Sequence, residues 1–137
     1  MKKELCVLLL VALAASTGPA AAQDWPNKPV KWILSQPAGA SPDITARLVA
    51  DRLSRMWGQQ VIVDNRPGGQ NVIGAQLAAK SPADGYNYFW ATTAALVSNP
   101  FTFKSLPYDP ERDFVPVALI GKSPMVVAVK AGRRWCW

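Results

Sequence analysis

Four consecutive pieces decide the fold: Val30-Lys31-Trp32-Ile33-Leu34, the small-residue stretch Ser35-Gln36-Pro37-Ala38-Gly39-Ala40, a segment opening Ser41-Pro42-Asp43, and the triplet Val61-Ile62-Val63. The β-favouring residues at 30–34 predict a first strand. Ser41 as N-cap, Pro42 at the first helical position and Asp43 near the positive end of the helix dipole predict that a helix begins there. Ala46, Val49, Leu53 and Met56 recur at spacings of three and four and predict its buried stripe. Arg47, Asp51 and Arg55 are four apart on a different face, where they can pair along the helix. Gly58 is suited to end it, and the β-branched residues 61–63 predict a second strand.

Working outward, Asp64-Asn65-Arg66-Pro67-Gly68-Gly69 is a cluster of turn formers, followed by a predicted helix over Val72 to Lys80. Ser81-Pro82-Ala83-Asp84-Gly85 breaks that helix. A third strand is predicted over Tyr86 to Ala91, ending on Thr92-Thr93, then a short helix over Ala94 to Ser98. Asn99-Pro100 is expected to open a loop running to Pro110, and Phe114 to Ile120 and Met125 to Val129 read as strands four and five. Strands alternating with helices predict an α/β fold with a mostly parallel sheet covered by helices. Ligands of such folds gather at the carboxyl ends of the strands, which here carry residues 36–41, 65–70 and 92–93.

The composition fits a soluble globular chain: 137 residues, 50% hydrophobic and 18% charged, with 12 Pro and 9 Gly, which excludes collagen-like, coiled-coil and strongly disordered classes. The net charge of +6 is spread along the chain instead of forming a basic stripe, so nucleic acid is not an expected partner. Residues 1–22 read as an export signal, with Lys2 and Lys3 ahead of the apolar run Leu5 to Ala15 and small residues at Ala20-Ala21-Ala22. Cleavage after Ala22 starts the mature chain at Gln23 and leaves Cys136 as its one cysteine, so no internal disulfide and no cysteine-based metal site is expected. The chain has no histidine. That removes the commonest general base, the Ser-His and Cys-His pairs and most zinc sites, so neither an enzyme nor a cofactor is expected.

The loop Pro37-Ala38-Gly39-Ala40-Ser41-Pro42 lies between a strand end and a helix start, where exposed backbone N–H groups and the helix dipole favour an anion. It has neither the spacing of a dinucleotide loop nor the Gly-Lys-Ser/Thr ending of a P-loop, and an ordinary connection explains it equally well. Asn65 to Gln70 offers amides and side chains to a carboxylate but suits a plain turn. Thr92 and Thr93 offer hydroxyls at the third strand end, with helix capping by Thr93 as the alternative. Trp90 is placed either to line a pocket or to pack in the core.

Six segments recur together in one order and spacing: Trp25-Pro26-Asn27-Lys28-Pro29-Val30; Pro37-Ala38-Gly39 with Asp43-Ile44-Thr45-Ala46-Arg47; Gly58 to Gly69; Ile73-Gly74-Ala75; Pro82-Ala83-Asp84-Gly85-Tyr86; and Leu106 to Val117. In these the chain resembles the extracytoplasmic solute receptors of tripartite tricarboxylate transporters, the Bug or TctC-like family. The resemblance implies a periplasmic receptor of the type II periplasmic-binding-protein kind, a clamshell of two three-layer αβα lobes. Such a receptor closes on a small organic carboxylate and delivers it to membrane permease subunits. It implies that Ala38, Gly39, Ala40, Ser41 and Asp43 in the first loop, with Thr92 and Thr93, hold the ligand through amides, hydroxyls and bound water. The first loop departs from the family's richer glycine run, and the family's second lobe has no counterpart in the chain. On this reading residues 23–130 are the N-terminal lobe, a monomer is expected, and residues 131–137 form an aberrant tail. The competing expectation is an exported truncated or frameshifted fragment that binds nothing.

Overall fold

The computed structural model describes residues 25–123 and Ala128. Three parallel strands, β1 (Val30–Leu34), β2 (Val61–Asn65) and β3 (Asn87–Trp90), form a sheet in the order β2-β1-β3. Helix α1 (Ser41–Trp57) connects β1 to β2, and α2 (Val72–Ala79), entered through a 3₁₀ turn at Gly69–Asn71, connects β2 to β3. The first crossover moves outward from β1 and the second returns across it. With both crossovers right-handed, that reversal sends the two helices to opposite faces.

The packing agrees. On one face Val30, Trp32 and Leu34 meet Ala46 and Ala50 of α1, with Val49, Leu53, Trp57, Tyr88 and Trp90 around them. Two alanines on the contact face let the helix approach the sheet closely. Met56, expected in the buried stripe, is 65% exposed. The stripe instead continues from Leu53 to Trp57, whose ring stacks edge-on against Trp25 at 5.0 Å. Gly58, at φ +66°, ends α1. Ser54 ties that end to the sheet by donating to the Ala50 carbonyl at 2.7 Å and accepting from Val61 N–H at 2.8 Å.

The opposite face holds Ala75, Ala95 and Tyr108, packed with Val72, Phe89, Leu106 and Phe114. Here α2 lies so close to the exit of β1 that a Cβ on Gly74 would sit 2.8 Å from the Cα of Ser35 and 3.0 Å from the Arg66 carbonyl oxygen. The layers are therefore helix, sheet and helix, as expected of an αβα lobe.

Three further details depart from expectation. Ala40, not Ser41, is the N-cap of α1, so Pro42 falls at the second helical position, still within the first turn where a missing N–H costs nothing. Asn99–Thr102 is a short helix, α3, following a π-turn at Ala94–Ser98, where a loop was expected; Pro100 again sits in a first turn. Phe114 to Ile120 forms no strand. The predicted export signal, the tail and, apart from Ala128, the predicted fifth strand lie outside the described residues.

Candidate functional site

The order β2-β1-β3 has its switch point between β1 and β3, where the connection leaving one strand turns away from that leaving its neighbour. Leu34 is in register with Trp90 on one side and with Asn65 on the other. The chain therefore leaves all three strands side by side at one end of the sheet. The loop at 36–40 and residues 91–93 leave neighbouring strands at that end, with the turn after β2 leaving the strand on the other flank. Ala38, Gly39, Ser41 and Thr93 are exposed, and Ala40 and Thr92 are half-buried.

Asp43 is placed differently, with its carboxylate turned inward and only 2% of the residue exposed. It accepts from the Gly39 N–H at 2.8 Å, from Arg47 Nε at 3.0 Å and from Asn65 Nδ2 at 2.9 Å. The Arg47 guanidinium foremost, then the Gly39 N–H and the Asn65 amide, hold this carboxyl down at about 2 from an ordinary 3.8. Arg47 thus pairs with Asp43 and leaves Asp51 to Arg55, which binds it at 2.7 Å.

These bonds determine what the loop can offer. The Gly39 N–H is taken by Asp43, and the Ala40 N–H by the Pro37 carbonyl at 3.2 Å. Gly39 itself lies at φ +81°, a conformation that a side chain would resist. Among the described residues, the N–H groups of Ala38 and Ser41 have no acceptor. The Thr92 hydroxyl accepts from Ala95 N–H at 3.5 Å, the outer limit of a hydrogen bond, and Thr93 makes no side-chain capping bond. Both hydroxyls are accordingly open to a further partner.

The turn after β2 is a brace. Asn65 reaches Gln36, Asp43 and Arg47. Gln36 Nε2 donates to Asn71 Oδ1 at 2.7 Å, and Asn99 Nδ2 donates to the Gln70 carbonyl at 2.9 Å. Gln70 and Asn71 both have positive φ, continuing the bend begun at Gly68 and Gly69. Sequence reasoning missed these roles for Gln36, Asn71 and Asn99, whose partners lie 29 or more residues away. The one local signal was the four-residue spacing of Asp43 and Arg47. Trp90 is half-buried and packs against Trp32 at 5.2 Å, at the margin of the core on the α1 face. An open groove of about 620 Å³ runs along Pro100 and Phe103 to Asp113 and includes none of the seven candidates. Among the described residues, no group of three or more acidic or cysteine side chains is placed to hold a metal.

Residues 45–134 match the family model of the tripartite tricarboxylate transporter family receptor, TctC. The chain belongs to this family. Tripartite tricarboxylate receptors are binding proteins, not enzymes. A UPF0065 protein of Bordetella bronchiseptica is 46% identical over 125 residues, covering 91% of the chain and 37% of the relative. The chain thus spans little more than a third of that curated relative. A solved structure described as a periplasmic transporter superposes with a TM-score of 0.61 at 41% identity, over 63% of the chain and 29% of that structure. A Rhodopseudomonas palustris protein solved with adipate gives 0.61 at 37% identity, over 64% of the chain and 29% of that structure. MatC of the same organism, solved with malate, gives 0.66 at 26% identity, over 70% and 33%.

Proposed function

We propose that the chain supplies one jaw of a periplasmic receptor for a small dicarboxylate, which the receptor hands to membrane permease subunits. The jaw consists of Ala38, Gly39, Ala40, Ser41, Thr92 and Thr93, with Asp43 acting on the ligand through the loop it shapes. The observation that supports this is the strand register, in which β1 and β3 end level with each other, so that the loop after β1 and the threonines after β3 emerge at the same end of the sheet. Unoccupied N–H groups at Ala38 and Ser41 and two hydroxyls suit a carboxylate. Adipate and malate in the related structures support the ligand class. The export signal read in residues 1–22 supports a periplasmic location.

The jaw is open to water, where competing solvation weakens each contact. Titrating the ¹⁵N-labelled chain with malate and adipate is expected to move the amides of Ala38, Ser41, Thr92 and Thr93 with half-saturation at about 1 mM or weaker. Acetate, with a single carboxylate, should move them less. Unchanged amides at these four positions would remove the proposal. A second reading, a chain that folds but holds no ligand, draws on the exposure of Val115, Val117 and Leu119. The same titration separates the two.

A further inference from the structure

We propose that Asn65 is the positioning residue of the carboxylate-binding loop, fixing from the end of β2 the shape of a loop that belongs to β1 and α1. The inference rests on the dicarboxylate reading above and adds to it a residue that touches no ligand. Asn65 uses its whole amide. Its Nδ2 donates to the Gln36 carbonyl at 3.0 Å and to Asp43 Oδ1 at 2.9 Å, while its Oδ1 accepts from Arg47 Nη2 at 2.8 Å. Two acceptors on one side and a donor on the other settle which end of the amide is nitrogen. Asp43 passes the constraint on by accepting from the Gly39 N–H at 2.8 Å. Two side chains therefore link a strand end to the apex of the neighbouring strand's loop.

The sequence of that loop explains why it needs an outside hold. Ala38, Gly39 and Ala40 have almost no side chain with which to pack, and Gly39 has wide conformational freedom. A free loop of this composition would lose that freedom when it bound an anion, and a loop already held in shape does not. The register makes the hold short, since Asn65 lies directly opposite Leu34, two residues before Gln36.

Charge explains why the residue is asparagine. Asp43 places a carboxylate under the loop, and Arg47 cancels it. A neutral amide completes the brace without adding charge beside an anion site. Aspartate at position 65 would set a second carboxylate against Asp43 and withdraw both donors. Alanine would leave the Gln36 carbonyl and one lone pair of Asp43 without their partner.

The test compares Asn65→Ala and Asn65→Asp with Asn87→Ala, which removes an amide bonded to Pro82 and Asp84 at the opposite end of the sheet. Two quantities are read in the full chain: hydrogen-exchange protection of the Gly39 amide, and half-saturation by malate and adipate. Both Asn65 variants are expected to lose about tenfold in Gly39 protection and about tenfold in affinity, roughly the worth of one hydrogen bond. Asn87→Ala should leave both within about twofold, inside the scatter of distant, uncoupled sites. Gly39 protection within twofold of wild type in both Asn65 variants overturns the proposal. If Asn65→Ala does not fold, Asn65→Ser, which keeps one short donor, is judged on the same exchange measurement. Should the wild-type chain respond to neither dicarboxylate, the functional reading fails, and Gly39 exchange alone decides the role of Asn65.

Discussion

A buried aspartate beside a loop assigned to bind an anion is at first sight in the wrong place. Its partners resolve the conflict, because Arg47 neutralises the charge while Gly39 and Asn65 direct the lone pairs into the loop. The same partners make Asp43 a sensor of acid. Its carboxyl is lowered to about 2 when folded, against an ordinary 3.8, so its ionised form favours the folded state. That contribution is complete above the ordinary value and fades as pH falls from 3.8 towards 2. Asp43→Asn removes the titrating group and is expected to flatten the fall of the melting temperature across this window while lowering it at pH 6. Melting curves recorded from pH 6 down to about 2.5 check this, since Asp84 and Asp113, also lowered, contribute the same acid loss to both proteins. Parallel curves would show that Asp43 is not the group the loop depends on.

Between elements, the tightest constraint is the approach of α2 to the exit of β1. Gly74→Ala would press a methyl group against the backbone of Ser35, with the Arg66 carbonyl oxygen 3.0 Å away, and neither is the yielding end of a side chain. A destabilisation of about 1–3 kcal/mol is expected, read as a lower denaturant midpoint at unchanged slope. A midpoint equal to wild type would mean that α2 can move off the sheet. This contact also shows where sequence reading stops. The strand Val30–Leu34 and the span of α1 were legible because β-branching, a proline in the first turn and a glycine at the end act locally. Gly74 gave no such signal, since its partner is Ser35 on another element. The stripe of α1 was misassigned at Met56 for a related reason: Trp57 is anchored by Trp25, 32 positions earlier, and draws the burial one residue onward. The candidate loop was visible in its small residues, but which of its N–H groups stay open depends on a carboxylate braced from another strand, and no local pattern records that.

At the scale of the whole molecule, apolar surface is left uncovered. Val115, Val117 and Leu119 are 86%, 77% and 75% exposed, close together in the stretch read from sequence as a fourth strand. Paired as a strand, they would share one face and bury it, because side chains alternate with period two. Here that stretch has no strand partner among the described residues, and the chain spans little more than a third of its curated relative. Large apolar residues exposed together in one short stretch are candidates for a place where other protein packs. The expected consequence is that the isolated chain binds an apolar dye such as anilinonaphthalene sulfonate while still melting cooperatively. Val117→Lys combined with Leu119→Lys should then remove most of the dye fluorescence yet change stability by no more than about 0.5 kcal/mol, the usual range for surface sites. An undiminished dye signal would place the binding surface elsewhere. A large loss of stability would show instead that the segment is packed in solution, and the apolar residues would then belong to the core of this lobe and not to a surface awaiting cover.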